Sequence, residues 1–187
     1  MRNPPILSPA IFLDRDGVIN KNTDARIKTP EEFVFEEGAC AALARLAAAI
    51  REPIIIFTNQ AAIGRGWMSE DDLQRIHDKM LKGIREAGGR IDAIYHCPHV
   101  DEDQCDCRKP KPGLLERAAQ ERGLDLPASF VIGDFPRDIV SGQAVGCRTI
   151  WIDNQRLTFD WKGIKPDFSV PHLGAAVEIV LRERRHR

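Results

Sequence analysis

Short apolar runs alternate with helical patterns along the whole chain, and this alternation constrains the fold more than any other feature. The runs contain three to five residues, mostly Ile, Val, Phe and Leu, as expected of strands buried on both faces of a parallel sheet. Helix-length patterns between such strands predict right-handed crossovers and a doubly wound, mostly parallel α/β fold with three layers. We predict strands over 10–13, 54–57, 91–95, 130–132 and 149–152. We predict helices over 38–51, 69–87, 113–122, 138–145 and 173–184.

The length of 187 residues is that of one globular domain, so we predict a single domain over 1–187. The longest apolar runs are far shorter than the ~20 residues that cross a bilayer, and no cationic start precedes an apolar run at the N-terminus. Lys and Arg number 27 against 28 Asp and Glu, which lacks the basic excess typical of proteins that bind a nucleic-acid backbone. We expect a cytoplasmic monomer with neither membrane nor nucleic acid among its partners.

Two of the predicted strands end in carboxylates. Asp14 and Asp16 follow the first strand, and Asp134 follows the fourth, with Asp138 four residues later. Ligands of doubly wound sheets bind outside the carboxyl ends of the strands, where Asp14 and Asp134 can share one hard cation. Mg²⁺ prefers oxygen ligands of this kind. Asp138 either belongs to the same site or is the carboxylate that a helix N-terminus favours.

Polar groups suited to a phosphate follow the second strand and the cysteine-rich segment. Thr58, Asn59 and Gln60 precede a glycine-bearing turn, and a hydroxyl, amides and exposed N–H groups match an oxyanion with several acceptors. Arg108 and Lys109 stand between cysteines and prolines, and the prolines restrict the backbone so that it can aim Lys109 into the site. The alternatives are a polar loop and a surface pair of cations.

Three of the five cysteines lie close together with a histidine. Cys97, His99, Cys105 and Cys107 supply three thiolates and one imidazole, which fills a tetrahedral zinc site. An odd number of cysteines fits a disulfide framework poorly. Four protein ligands leave no open position for water, so we predict a structural Zn²⁺ that builds this loop. The two remaining cysteines are interpreted as core residues.

Four short motifs follow the predicted strands in order, namely D-R-D-G at 14–17, Thr58-Asn59, Lys109-Pro110, and Gly133-Asp134 with Asp138. They resemble the four motifs of the haloacid dehalogenase (HAD) superfamily of phosphohydrolases. The zinc loop and the absence of a cap-sized insertion resemble the group of heptose-1,7-bisphosphate 7-phosphatases and histidinol-phosphate phosphatases. The resemblance implies a HAD-like fold without a cap domain and with a zinc-binding loop. It also implies Mg²⁺-dependent removal of the 7-phosphate from a D-glycero-D-manno-heptose 1,7-bisphosphate.

The same resemblance implies a role for each motif residue. Asp14 would attack phosphorus and form an aspartyl phosphate, while Asp16 would protonate the departing oxygen and later deprotonate water. Mg²⁺ would be held by the carboxylates of Asp14 and Asp134 and by the main-chain carbonyl of Asp16. Thr58 and Lys109 would complete the catalytic set, and Asp138 would support it. Substrate contacts are expected from Asn22, Thr23, Asp24, Asn59, Gln60, Arg65 and Arg108.

The substrate is a small phosphorylated sugar in this interpretation, and three alternatives remain. They are a histidinol-phosphate phosphatase, a polynucleotide 3′-phosphatase and a non-catalytic, zinc-stabilised binding module. A second substrate phosphate suits the cations of the loops around the site, which are Lys21, Arg26, Arg65 and Arg108. Phe135 and Pro136 stand where some relatives have a basic residue after the fourth motif, and His77 is interpreted as a surface or capping group.

Overall fold

The computed structural model describes residues 7–22, 26–153 and 163–185. Within these residues, six strands form one sheet, in which every pair of neighbours is parallel. The strands are β1 (Ile11–Leu13), β2 (Ile54–Asn59), β3 (Ala93–Cys97), β4 (Phe130–Gly133), β5 (Arg148–Ile152) and β6 (Phe168–Val170). Their order across the sheet is β3-β2-β1-β4-β5-β6. Strand β1 therefore lies inside the sheet, with β2 and β3 on one side and β4 to β6 on the other. This confirms the predicted doubly wound topology.

Helices cover both faces of the sheet. They are α1 (Ala39–Ala49), α2 (Ala61–Gly64), α3 (Glu70–Glu86), α4 (Gly113–Arg122), α5 (Pro136–Ala144) and α6 (Leu173–Arg184), with a short 3₁₀ turn at Asp101–Asp103. The side chains of β1 alternate between the two faces, as a strand requires. Ile11 and Leu13 pack in the core below α1, α3 and α6, and Phe12 packs in the core below α4. The expected three layers are therefore present.

The start of α3 illustrates how local sequence sets an element boundary. The Ser69 hydroxyl accepts the N–H of Asp72, and the Asp72 carboxylate accepts the N–H of Ser69 at 2.8 Å. These two bonds satisfy N–H groups that the first helical turn leaves without partners. Ser69 and Asp72 therefore form a capping box that fixes where α3 begins.

Two short elements were not predicted. Strand β6 has three residues, of which only Val170 is buried. Such a short edge strand has no apolar run from which a strand could be predicted. Helix α2 has four residues and follows Gln60 directly. No helix among the residues that the structure describes is long and apolar enough to cross a membrane.

Candidate active site

The carboxyl ends of the central strands meet in one small polar cavity. Leu13 of β1 lies opposite Ile56 of β2 and Ile132 of β4, so the residues that follow these strands converge. The predicted site residues that line this cavity are Asp14, Asp16, Asn22, Thr58, Asn59, Gln60, Lys109 and Asp134. Asp14 and Asp134 are 120 positions apart in the chain, and the sheet order alone brings them together.

Three buried carboxylates and one lysine form the centre of the site. The Lys109 Nζ lies 2.9 Å from Asp14 Oδ1 and 2.6 Å from Asp138 Oδ1, and it donates to the Phe57 carbonyl at 3.0 Å. Asp14, Asp134 and Asp138 each offer an oxygen, and these oxygens all lie within 4.8 Å of one another. Lys109 therefore offsets one of three negative charges.

The electrostatics of this cluster favour a further cation. Burial raises the pKa values of Asp14 and Asp134, the neighbouring carboxylates add to this effect and Lys109 opposes it, which together places the pKa of Asp14 at about 6 and that of Asp134 at about 8. Burial disfavours the charged form of Lys109, but Asp138 and Asp14 outweigh it and raise the lysine pKa. A divalent cation would stabilise the charged forms of these carboxylates, so the oxygen donor set fits Mg²⁺.

Asp138 belongs to the carboxylate cluster and also caps a helix, so both interpretations from the sequence apply. One of its oxygens pairs with Lys109, and the other accepts the N–H of Phe135 at 3.0 Å at the start of α5. Its side chain is fully buried. Asp138 therefore holds the lysine and caps the helix at the same time.

Gly17 makes room for the Asp134 carboxylate. Its φ is +85°, and a Cβ added there would lie 1.9 Å from Asp134 Oδ2. We expect Gly17→Ala to raise the dissociation constant of Mg²⁺ at least about tenfold, equivalent to about 1.4 kcal/mol, because the carboxylate must move. Calorimetric titration with Mg²⁺ measures this effect.

Gly38→Ala is the matched control for this substitution. Gly38 has a φ of +73°, and nothing lies within 4 Å of a Cβ added there. The control therefore carries a similar backbone cost of about 1–2 kcal/mol without displacing a carboxylate. Unchanged Mg²⁺ affinity in Gly17→Ala would contradict the proposed metal position.

Asp16 sits in a dense network of donors. Its carboxylate accepts from Asn20 Nδ2 at 2.9 Å, from Gln60 Nε2 at 3.0 Å, and from the guanidinium of Arg15 through both oxygens. Burial alone would raise the pKa of Asp16, but the Arg15 charge and these hydrogen bonds lower it below its ordinary value. The orientation of Asp16 is therefore set by three neighbouring side chains.

Asn59 links the end of β2 to the segment that carries Lys109. Its Nδ2 donates to the Lys109 carbonyl, and its Oδ1 accepts the Lys109 N–H, both at 3.1 Å. Thr58 Oγ1 accepts from Gln60 Nε2 at 2.8 Å. Asn59 lines the cavity and its amide holds the backbone segment that carries Lys109, while its contact with substrate stays a prediction.

The four predicted zinc ligands converge in the loop before Lys109. The Sγ of Cys107 lies 3.2 Å from that of Cys97 and 3.5 Å from that of Cys105, and His99 Nδ1 lies 3.3 Å from Cys107 Sγ. A tetrahedral Zn²⁺ with Zn–S bonds of about 2.3 Å places its sulfurs about 3.7 Å apart. The donor chemistry and the spacing of the cluster fit a structural zinc ion.

Two predicted substrate contacts do not line the cavity, and two lie outside the described residues. Arg108 binds the Asp101 carboxylate and donates to the His99 carbonyl, while the Arg65 guanidinium lies 5.1 Å from the centre of the Trp67 ring. Arg65 and Arg108 remain predictions. Thr23 and Asp24 lie outside the described residues.

Sequence reasoning missed Arg15 and Arg137, which both line the cavity, and it misjudged His77. Some relatives have a basic residue where this chain has Phe135 and Pro136. Arg137 follows directly, in the first turn of α5, and it lines the cavity. The surface interpretation of His77 is wrong, because its side chain is buried. The spacing of His77 with the buried Leu73 and Met80 on α3 was the available signal.

The chain is similar to known phosphatases. A family model described as HAD-hydrolase-like matches residues 106–176. The D-glycero-beta-D-manno-heptose-1,7-bisphosphate 7-phosphatase of Bordetella bronchiseptica is 37% identical over 177 residues, which cover 92% of this chain and 98% of that protein. A D-glycero-alpha-D-manno-heptose-1,7-bisphosphate 7-phosphatase of Campylobacter jejuni is 40% identical over 146 residues, covering 78% and 83% of the two chains.

A solved structure extends the similarity to three dimensions. The crystal structure of D,D-heptose 1,7-bisphosphate phosphatase from B. bronchiseptica, complexed with magnesium and phosphate, matches with a TM-score of 0.88 at 36% identity. The match covers 94% of this chain and 99% of that one. The likeness therefore extends over nearly the whole length of both chains.

Proposed function

Because the chain belongs to the HAD-like phosphatases, in the family of the heptose-1,7-bisphosphate 7-phosphatases, we propose that it removes the 7-phosphate of D-glycero-D-manno-heptose 1,7-bisphosphate. The observation that carries this proposal is the buried cluster of Asp14, Asp134, Asp138 and Lys109 beside Thr58. The related enzyme that matches over nearly its full length was solved with magnesium and phosphate.

Asp14 is the nucleophile in this proposal. Its Oδ1 accepts the N–H of Arg15 at 2.7 Å and lies 2.9 Å from Lys109 Nζ, so two donors fix the rotation of the carboxylate. A carboxylate oxygen attacks phosphorus as the bond from phosphorus to the C7 oxygen breaks, which leaves an aspartyl phosphate. Mg²⁺ bound by Asp14, Asp134 and the Asp16 carbonyl supplies the positive charge that lets an anionic nucleophile approach an anionic phosphate.

Asp16 transfers protons in both half-reactions. It gives a proton to the departing sugar oxygen and then takes one from the water that hydrolyses the aspartyl phosphate. The donors around Asp16 favour its anionic form, which suits the second role, whereas an approaching phosphate dianion favours the protonated form needed for the first. Thr58 and the Lys109 ammonium hold the transferring phosphoryl group.

Cations around the cavity support a substrate with a second phosphate. Arg26 and Arg137 line the cavity, and Arg137 stacks on Phe135 at 4.1 Å. The pKa of Arg26 is lowered first by burial and then by the charges of Arg65, Arg137 and Arg108. Guanidinium groups that repel one another in this way are stabilised by a bound dianion.

We extend the proposal to the metal content and the setting of the enzyme. One Zn²⁺ is held by Cys97, His99, Cys105 and Cys107, whose thiolates require reducing conditions such as those of the cytoplasm. The enzyme acts as a monomer with one domain over 1–187. Metal analysis and light scattering on purified, reduced protein test these statements.

The substrate panel is the direct test of the proposed function. We expect kcat/KM for a heptose 1,7-bisphosphate to exceed that for histidinol phosphate at least about tenfold, or ~1.4 kcal/mol of transition-state binding. Phosphate release is measured with both anomers of the bisphosphate, histidinol phosphate and a 3′-phosphorylated oligonucleotide. A preference for either of the last two would assign the chain to the corresponding alternative.

Arginine variants identify the source of this preference. Arg137→Ala is expected to lower kcat/KM for the bisphosphate about 10- to 100-fold, since it removes charge-assisted hydrogen bonds to the second phosphate. Activity on histidinol phosphate should stay within about threefold. The exposed Arg51, which directly precedes the residues leading into β2, provides the control Arg51→Ala.

A further inference from the structure

Arg15 carries a fully buried positive charge. Its side chain is 1% exposed and forms an ion pair with Asp16, with Nη2 at 2.9 and 3.0 Å from the two carboxylate oxygens. The same nitrogen lies 3.2 Å from Gln60 Oε1. A buried guanidinium is tolerated only where hydrogen-bond acceptors surround it, so the placement of these acceptors decides where the guanidinium lies.

The other terminal nitrogen of Arg15 contacts a residue outside the four motifs. Nη1 lies 3.4 Å from Nε2 of His77, which belongs to α3 and is 62 positions away in the chain. A guanidinium has only donors, so Nε2 must accept, and the imidazole is neutral with its proton on Nδ1. Burial, followed by the charges of Arg15 and His96, lowers the pKa of His77 to about 3, which agrees with a neutral ring.

These contacts form a chain of hydrogen bonds from α3 to Asp16. His77 holds Nη1 of Arg15, and Nη2 of Arg15 holds Asp16. Gln60 closes the network, because it accepts from Arg15 and donates to Asp16 Oδ2. Without an acceptor at position 77, Nη1 would be buried without a partner, and the guanidinium would shift together with the carboxylate it binds.

We propose that His77 is a positioning residue for Asp16, acting through the Arg15 guanidinium. This inference rests on the proposed function, in which Asp16 protonates the leaving group. Its consequence depends on the leaving group. A sugar oxygen must be protonated as it departs, whereas 4-nitrophenolate departs without a proton.

The test compares His77→Leu with the unmodified enzyme on two substrates. We expect kcat/KM for the heptose bisphosphate to fall at least about tenfold, and kcat/KM for 4-nitrophenyl phosphate to stay within about twofold. For each substrate, kcat/KM depends only on the steps up to release of the first product, so the rate of aspartyl-phosphate hydrolysis does not affect it. With 4-nitrophenyl phosphate, kcat and KM should fall together, because Asp16 also serves the shared hydrolysis step.

Two further variants separate positioning from packing. His77→Gln restores an acceptor oxygen near the position of Nε2 and should recover the bisphosphate activity to within about threefold. Leu73→Ala removes a buried side chain one turn earlier on the same helix, which cannot hydrogen-bond to Arg15. This control should lower Tm and affect kcat/KM for both substrates equally.

Each remaining outcome contradicts one specific statement. Equal losses of kcat/KM for both substrates in His77→Leu, or no loss for either, would overturn the positioning role. An unmodified enzyme without activity on the heptose bisphosphate would contradict the proposed substrate instead. The role of His77 would then be measured with phenyl phosphates of increasing leaving-group basicity, along which the loss in His77→Leu must grow.

Discussion

Replacing Asp14 by asparagine is expected to lower kcat at least about 10⁴-fold and to leave no acid-labile phosphoenzyme. An amide is a poor nucleophile and a weaker ligand for Mg²⁺ than a carboxylate. The side chain can still contact Lys109, so the protein should fold. Quenched-flow trapping with a radiolabelled phosphate ester measures the phosphoenzyme, and steady-state phosphate release measures turnover.

Two comparison variants define what this result means. Asp16→Asn keeps the main-chain carbonyl proposed to bind Mg²⁺, so it should bind the metal and turn over very slowly. Asp78→Asn makes the same chemical change at an exposed position of α3, where the carboxylate contacts Gln74. It should retain full activity. Turnover at the unmodified rate in Asp14→Asn would exclude the aspartyl-phosphate mechanism.

Replacing Cys105 by serine is expected to remove zinc and to disturb the catalytic site. In the proposed zinc site, the cluster would fold the loop that leads into Arg108 and Lys109, and the Lys109 backbone is hydrogen-bonded to Asn59. Loss of a structural metal can cost about 4 kcal/mol or more, which corresponds to a fall in Tm of about 10 °C for a chain of this size. Calorimetry, metal analysis and kinetics on the same preparation measure these effects.

The control for this substitution is Cys40→Ser, since Cys40 lies in α1, outside the cluster. It should keep about one zinc per chain and nearly full activity. In Cys105→Ser, both Tm and substrate affinity should fall, and added Mg²⁺ should not restore them because it binds at a different site. Freshly purified, reduced protein that contains no zinc would refute the proposed metal.

The sequence by itself determined the architecture and which polar residues meet at the edge of the sheet. Alternating strand and helix patterns predict a doubly wound sheet, and this order places Asp14, Thr58 and Asp134 at the same edge. The convergence of Cys97, His99, Cys105 and Cys107 could also be predicted, because four side chains within eleven positions need only a local loop to meet. These features follow from periodicity and spacing, which are properties of the chain alone.

Only the tertiary structure decided which side chains surround the motif residues. The contact between Arg15 and His77 depends on the rotation of α3 about its axis, and the placement of Arg137 depends on how α5 leaves β4. From the sequence, the amide of Asn59 could bind either a substrate or a backbone segment. In the structure it hydrogen-bonds to the Lys109 backbone. Such contacts join residues tens of positions apart at distances near 3 Å. Sequence patterns fix which face of an element is buried, whereas packing of whole elements fixes which polar atoms meet.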